Sequence, residues 1–442
     1  MVTQQNLDLL FQVRVLAGQH FDLLMRNLRT VILAAGKGTR MKSDVPKVLH
    51  EVCGKPIVEY VLDAAKAAGS LKTYVVVGYK GDAVKERLAP GPVMVRQPKL
   101  SGTADAVRRV AGHLRSYRGD VLILCGDTPL LNKAVIKELV TKHKESKAVC
   151  TFLTATVSDP QGYGRIIRNE RGEAIAIRED KDALEQEKDI AEINVGVYCV
   201  RGRELFDALK RVRRNEKKKE FYLTDIIDLF HQGGSKIETV MTEDPVEGLG
   251  VNTKEDLAVA ERVVREKILK NFMRDGVTIV DPVTTYIDAD VKIGKDTCIR
   301  PFTIIEKDVR IGDRCVIGPF ARLRPGVRLG NGVEIGNFTE VSRTKIGNKT
   351  LMKHFSFLGD ALVGSDVNIG AGTITANFDG VRKNQTKIGN NAFIGSDSIL
   401  IAPVKVGNKA MVGAGSVVTK GVPDGCLAVG VPARIKARRK RG

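Results

Sequence analysis

Two folds in series are predicted by the sequence: an α/β domain on a mostly parallel sheet, then a parallel β-helix. Three observations carry this. Short aliphatic strands alternate with helical segments between Arg29 and Lys144. A glycine-rich loop follows the first of those strands. From Ile287 onward, aliphatic residues recur every six positions. The length of 442 residues exceeds that of a usual single domain about threefold.

Residues 1–28 read as a peripheral extension. Leu7, Leu10, Phe11 and Val15 have the spacing of a short amphipathic helix, while Asp8 and Arg14 interrupt any signal-peptide core. Met25 then opens a clean run into the first strand, Arg29–Leu33. A helix is expected to open at Lys55-Pro56 and run to about Ala68, with proline near its first turn. Strand Thr73–Val77, helix Ala83–Leu88, strand Val93–Gln97, helix Thr103–Leu114, strand Val121–Leu124 and helix Lys133–Lys144 follow. Strand and helix alternating at this spacing give a mostly parallel sheet covered on both faces, whose ligands bind beyond the strands' carboxyl ends.

The loop Ala34-Ala35-Gly36-Lys37-Gly38-Thr39-Arg40-Met41 lies at such an end. Glycines let backbone N–H groups close on a polyphosphate. The dinucleotide fingerprint fails, because Met41 stands where its third glycine belongs, and the P-loop fails because no Gly-Lys pair is followed by Ser or Thr. What remains is a G-x-G-T-R loop with Lys47 seven residues beyond Arg40, enough positive charge to neutralise several phosphate oxygens. Asp127 ends an apolar strand in Leu124-Cys125-Gly126-Asp127, where a metal-binding carboxylate or a helix cap belongs. A charged helix is expected from Thr253 to about Phe272, ended by Asp275-Gly276.

The six-residue series runs through Ile293, Ile299, Ile305, Ile311, Ile317, Leu323, Leu329, Ile335 and Val341, slips by one to Ile346, Met352 and Leu358, continues at Val363 and Ile369, and resumes from Ile388. That period fits neither a helix nor a hairpin array; it is the signature of a parallel β-helix with one inward aliphatic per repeat. The series breaks from Thr375 to Lys387, and function concentrates at such breaks.

The balance of 71 basic against 52 acidic residues, +19 in all, attracts anions. No nucleic-acid-binding signature accompanies it, so phosphorylated small molecules are the expected partners, with no nucleic acid and no membrane. The seven cysteines are scattered without a C-x-x-C, which fits free thiols in a reducing, cytoplasmic setting. Six of the last nine residues are basic, so 419–442 reads as a basic, solvated tail.

Val31 to Met41, followed by Pro46-Lys47-Val48-Leu49, closely resembles the sugar-1-phosphate nucleotidylyltransferases. Within them the chain is most similar to the bifunctional N-acetylglucosamine-1-phosphate uridylyltransferase / glucosamine-1-phosphate N-acetyltransferase family, from about residue 29 to 420. The resemblance implies a Rossmann-like nucleotidyltransferase domain over 29–252, a linker helix over 253–276 and a left-handed, trimeric β-helix of hexapeptide repeats over 277–418. It assigns UTP to Leu33, Ala35, Gly36, Gly38, Lys47, Gln97, Gly102 and Thr103, with Arg40 and Lys47 catalytic. It assigns the sugar to Gly164, Glu179, Asn194 and Asn252, and Mg2+ to Asp127 and Asn252. In the β-helix it implies His354 as general base, Arg324, Glu340, Asn368, Asn377 and Lys383 around the amino-sugar phosphate, and Ala371, Ser396 and Ala414 along the acetyl-CoA groove.

The chain departs from the family pattern at Ser342, where a lysine is usual, at Phe357 and Phe378, where tyrosines are usual, and at Gly430, where a basic residue is common. Arg343 is the nearest replacement for that lysine, but strand alternation turns it to the opposite face. Two other readings stand beside the bifunctional enzyme. One is a sugar-1-phosphate nucleotidylyltransferase whose β-helix is only an oligomerisation or regulatory scaffold. The other is a non-catalytic assembly subunit of the same two-domain architecture.

Overall fold

The computed structural model describes residues 27–436. The helix expected within 7–15, with most of the N-terminal extension, and the tail residues 437–442 lie outside the described residues. The chain forms two compact units: one comprises residues up to Val52 together with Pro56–Ala260, the other Cys53–Lys55 with Glu261 onward.

The first unit is built on one sheet. Its strand order is Ile237–Met241, Cys150–Thr156, Glu192–Arg201, Asp120–Cys125, Leu28–Ala34, Lys72–Val77 and Val93–Arg96. Leu28–Ala34 is central and parallel to both neighbours, Lys72–Val77 and Asp120–Cys125. Side chains alternate between faces: Leu28 and Ile32 enter one apolar cluster, and Val31 enters the other. Helices cover both layers, which is why these strands read as unbroken aliphatic runs.

The sheet is mostly parallel, as expected; Glu192–Arg201 alone on this path runs antiparallel to its neighbours, Asp120–Cys125 and Cys150–Thr156. Two expectations are corrected. Lys55-Pro56 does not open a helix: it pairs with Glu51–Val52, and Pro56, extended at ψ 139°, precedes the helix Ile57–Ala67. The helix expected over Thr103–Leu114 ends at Arg108, and a separate 3-10 turn, Ala111–Leu114, follows.

In the second unit each six-residue repeat supplies one side of a triangular coil. Ile299, Ile305 and Ile311 pair with Ile317, Leu323 and Leu329 eighteen residues on, one pair on each of three parallel sheets. These side chains fill a single aliphatic core. Glycine after the inward aliphatic is a packing requirement: a Cβ on Gly312 would lie 2.7 Å from the Gly330 carbonyl of the next coil. The helix Lys254–Arg274 contains the boundary between the two units, at Ala260/Glu261.

Candidate active site

In the first unit a cleft of about 560 Å3 opens at the carboxyl ends of Leu28–Ala34 and Asp120–Cys125. The cleft gathers Leu33, Ala35, Gly36, Gly38, Lys47, Gln97, Gly102, Thr103, Asp127 and Glu179. These residues are spread over nearly 150 positions of sequence, and the parallel sheet ends bring them together. Gly126 N–H donates to the Leu33 carbonyl at 2.9 Å, binding the two strand exits to each other.

The glycine-rich loop closes through Gly38, which takes the left-handed conformation at φ 61°. A Cβ there would lie 2.7 Å from Lys47 Cβ, so this glycine sets how closely Lys47 enters the cleft. Gly38→Ala is expected to displace Lys47 and lower nucleotidyl transfer by about 10²-fold, since misplacing a charged group by an ångström costs that much. Initial-rate assays of a variant whose thermal unfolding is checked in parallel test this.

At the cleft floor the Lys47 ammonium contacts the Asp127 carboxylate and lies 3.0 Å from Asn252 Oδ1. Asn252 Nδ2 donates to the Gly250 carbonyl, which turns Oδ1 toward the cation. The Val251 N–H donates to the Asp127 carbonyl at 2.8 Å, so two segments over 120 residues apart are joined at the site. Asp256 fixes Asn252 from behind, accepting from the N–H groups of Asn252 and Thr253 while Thr253 Oγ1 accepts from Asp256 N–H. Sequence reading did not single out Asp256; Thr253-x-x-Asp256, spanning the residue before the helix Lys254–Arg274 and its first turn, is the capping-box signal that marks it. Asp127 and Asn252 therefore present two hard oxygen donors to one cation, the donor chemistry that Mg2+ takes when phosphates complete its shell. Among the described residues there is no cluster of three or more His, Cys, Asp or Glu ligands.

Arg40 is exposed on the turn Thr39–Met41 and is not among the residues lining this cleft. Its charge acts on Tyr163: burial pushes that phenol up, Asp256 and Asp127 add to the effect, and Arg40 opposes it. Gly164 and Asn194 sit together, with Asn194 N–H donating to the Gly164 carbonyl at 2.8 Å. Asn194 lies at a bulge in Glu192–Arg201, where its Oδ1 accepts from Gly196 N–H and its Nδ2 donates to the Tyr198 hydroxyl. Burial pushes the Glu179 carboxyl up, with Asp182, Glu220 and Asp180 in the same sense, while a hydrogen bond from Thr224 opposes it. Burial and the neighbouring Asp127 push the Cys125 thiol up to about 12, which leaves no thiolate nucleophile there.

In the second unit, the series steps by five rather than six from Val341 to Ile346, around the corner at Arg343, and again from Leu358 to Val363, around the corner at Asp360; both corners have positive φ. Arg343 binds Asp360 through Nε at 2.6 Å and Nη2 at 2.9 Å, and Nη1 donates to Ser342 Oγ at 2.8 Å. The expected opposite facing of Arg343 is thus wrong. The strand ends at Ser342, and the left-handed corner at φ 48° returns the guanidinium to Ser342. Asn377 donates to the same Asp360, which neither motif nor spacing had marked. Arg343 holds the Asp360 carboxyl below the usual range, and Asn377 and Lys383 assist.

Arg324 and Glu340 form an ion pair at 2.9 Å, and Arg324 Nε is buried without a partner, a donor left for a ligand. Glu340 pairs in register with Phe357, and Phe357 with Ile374, on one sheet; Asn368 belongs to another, between Leu351 and Phe393. His354 is exposed in the turn before Ser356–Gly359. The break in the repeat is a tight hairpin closed by a bridge between Phe378 and Lys383. Inside it Asp379 accepts from Val381 N–H, Arg382 N–H and Asn384, which pulls its carboxyl to about 2. Ala371, Ser396 and Ala414 occupy successive coils at one corner: Asp397 N–H donates to the Ala371 carbonyl and Gly415 N–H to that of Ser396.

A nucleotide-sized cleft at parallel strand ends, followed by a six-residue β-helix, defines a nucleotidyltransferase joined to a hexapeptide-repeat transferase. Residues 30–226 match the MobA-like NTP transferase domain, 290–325 and 308–343 the bacterial transferase hexapeptide repeats, and 385–420 the hexapeptide repeat of succinyl-transferase. The β-helix is accordingly of the left-handed, hexapeptide kind. The chain is 44% identical over 411 residues to the bifunctional protein GlmU of Pelotomaculum thermopropionicum, covering 86% of this chain and 90% of that protein. It is 44% identical over 433 residues to that of Geobacillus thermodenitrificans, covering 90% and 94%. Against that of Brevibacillus brevis the identity is 42% over 438 residues, covering 92% and 95%. The chain belongs to the GlmU family of bifunctional proteins.

Proposed function

We propose that the chain transfers UMP from UTP to N-acetylglucosamine 1-phosphate, giving UDP-N-acetylglucosamine and pyrophosphate, and acetylates glucosamine 1-phosphate with acetyl-CoA. The convergence of Lys47, Asp127 and Asn252 at the strand ends carries the first half of this reading. Two polyanions must meet there against their mutual repulsion, so alignment and fixed charge do most of the work. The loop from Ala35 to Gly38 receives the triphosphate, and Lys47 and Arg40 supply positive charge. An oxygen of the sugar phosphate attacks the α-phosphorus in line; the new P–O bond forms as the α–β anhydride breaks, and pyrophosphate leaves. Mg2+ held by Asp127, Asn252 and substrate phosphates would neutralise charge building on those oxygens. Glu179 accepts from sugar hydroxyls, and Gly164 and Asn194 meet the N-acetyl side.

In the second unit His354 takes the proton of the glucosamine amine as nitrogen attacks the thioester; the C–N bond forms, the C–S bond breaks and CoA leaves as the thiol. Glu340 orients the amine, Arg324 and Lys383 hold the phosphate, Asn368 and Asn377 contact the sugar, and the Ala371, Ser396 and Ala414 corner receives acetyl-CoA. No described helix is long and apolar enough to cross a membrane. In this reading the enzyme is cytoplasmic and homotrimeric, and sedimentation should report three times the 48.2 kDa chain mass.

Incubating the full chain with the four triphosphates, mixed sugar 1-phosphates, Mg2+ and acetyl-CoA, with products read by mass spectrometry, tests the proposal. UDP-N-acetylglucosamine and free CoA are expected. Nucleotide-sugar formation without CoA release would leave the β-helix as a scaffold only.

A further inference from the structure

The cleft of the first unit contains an amide whose orientation is set from behind. Gln97 follows the strand Val93–Arg96 and is 3% exposed; its backbone N–H donates to the Val77 carbonyl. Its Nε2 donates to the Gly102 carbonyl at 3.1 Å and to Asp105 Oδ2 at 2.8 Å. Asp105 is buried in the helix Thr103–Arg108, and its other oxygen accepts from Arg109 at 2.7 Å. A carbonyl and an arginine-paired carboxylate can only accept, so the amide must turn its NH2 group to them. Oε1 is left as the free group of a side chain that lines the cleft, and no described residue donates to it.

We propose that Asp105 is a positioning residue for base selection: by holding the Gln97 amide with its NH2 inward, it makes this part of the cleft offer only an acceptor to the nucleobase. An imide base such as uracil carries an N–H at N3 and satisfies that acceptor. Cytosine carries a lone pair at N3, and two acceptors would face each other across the contact. The cost of burying an unpaired polar group is what lets one such contact discriminate strongly. This inference rests on the nucleotidyl-transfer reading of the cleft.

The test compares kcat/KM for UTP and CTP, each with N-acetylglucosamine 1-phosphate, in the full chain and two variants. The wild type should prefer UTP. Asp105→Asn keeps the shape but offers an NH2 that attracts Gln97 Oε1, so the amide can reverse; the UTP-to-CTP ratio should fall about tenfold, mainly through better use of CTP. Asp105→Leu removes one of the two acceptors that hold Nε2 but supplies no donor to Oε1, so the Gly102 carbonyl holds the amide alone. Its ratio should fall by about threefold, less than in Asp105→Asn, although leucine disturbs the packing more. A merely structural role for Asp105 predicts the reverse order. An unchanged ratio in Asp105→Asn, or equal relaxation in both variants, overturns the inference while leaving the proposed activity standing. A wild type that uses UTP and CTP equally also overturns it alone. A wild type that turns over no triphosphate overturns the proposed activity and this inference together.

Discussion

Asp127→Ala should lower uridylyl transfer by about 10³-fold, measured as pyrophosphate release under saturating UTP and sugar phosphate. The carboxylate contacts the Lys47 ammonium and shares that cation with Asn252. Its removal takes away a hard oxygen donor and frees Lys47 from its anchor at the same time. Electrostatic stabilisers of this kind are worth about 10²–10³ singly, and the double role places the loss at the upper end. Asp127→Asn retains one oxygen and should lose less. Acetyl transfer by the same preparation should be unchanged, which separates loss of a charge from loss of folding. A rate within tenfold of the wild type would refute the role given to this residue.

The second large effect is expected at His354. His354→Ala should reduce CoA release from acetyl-CoA and glucosamine 1-phosphate by about 10²–10⁴-fold, the range for removing a general base. Uridylyl transfer should be untouched. The side chain is exposed in a turn and fills no part of the aliphatic core, so the variant should unfold at the same temperature as its parent. Unaltered CoA release would reassign the base.

Most of the architecture was legible because each unit has a strong period. In the β-helix every sixth residue has to fill a core one side chain deep, so Ile299, Ile305 and Ile311 announce the fold directly. Lone strands of two residues would carry no such signal. In the first unit the strands up to Asp120–Cys125 were legible from their aliphatic runs, but the antiparallel direction of Glu192–Arg201 was not, since direction depends on connections rather than composition. Pro56 was placed inside the helix rather than directly before it because its fixed φ suits both the first helical position and the extended residue ahead of it.

At the candidate site, the residues from Leu33 to Gly38, Lys47, Gln97, Gly102, Thr103, Asp127 and Glu179 that the motifs pointed to line the cleft and Arg40 does not, whereas the residues acting behind them were missed. Asp105 and Asp360 reach the sites only through Gln97 and through Asn377 or Arg343, contacts set by the tertiary fold, while Asp256 reaches Asn252 through a local cap whose signal was passed over. Arg343 was misread because alternation holds along a strand and not around its corner.

In the β-helix, Asn331, Asn348, Asn390 and Asn408 each accept, through Oδ1, a backbone N–H of the preceding coil. Asp424 continues the ladder by accepting from Asn408 N–H. Such a ladder makes this unit a ruler graduated in whole turns. Excising or duplicating one entire coil would return every rung to an equivalent partner, while removal of half a coil would leave an aliphatic edge facing water and the rungs mismatched. The Phe378–Lys383 hairpin shows the permitted alternative: extra length is carried outward at a corner, and the graduation resumes undisturbed beyond it.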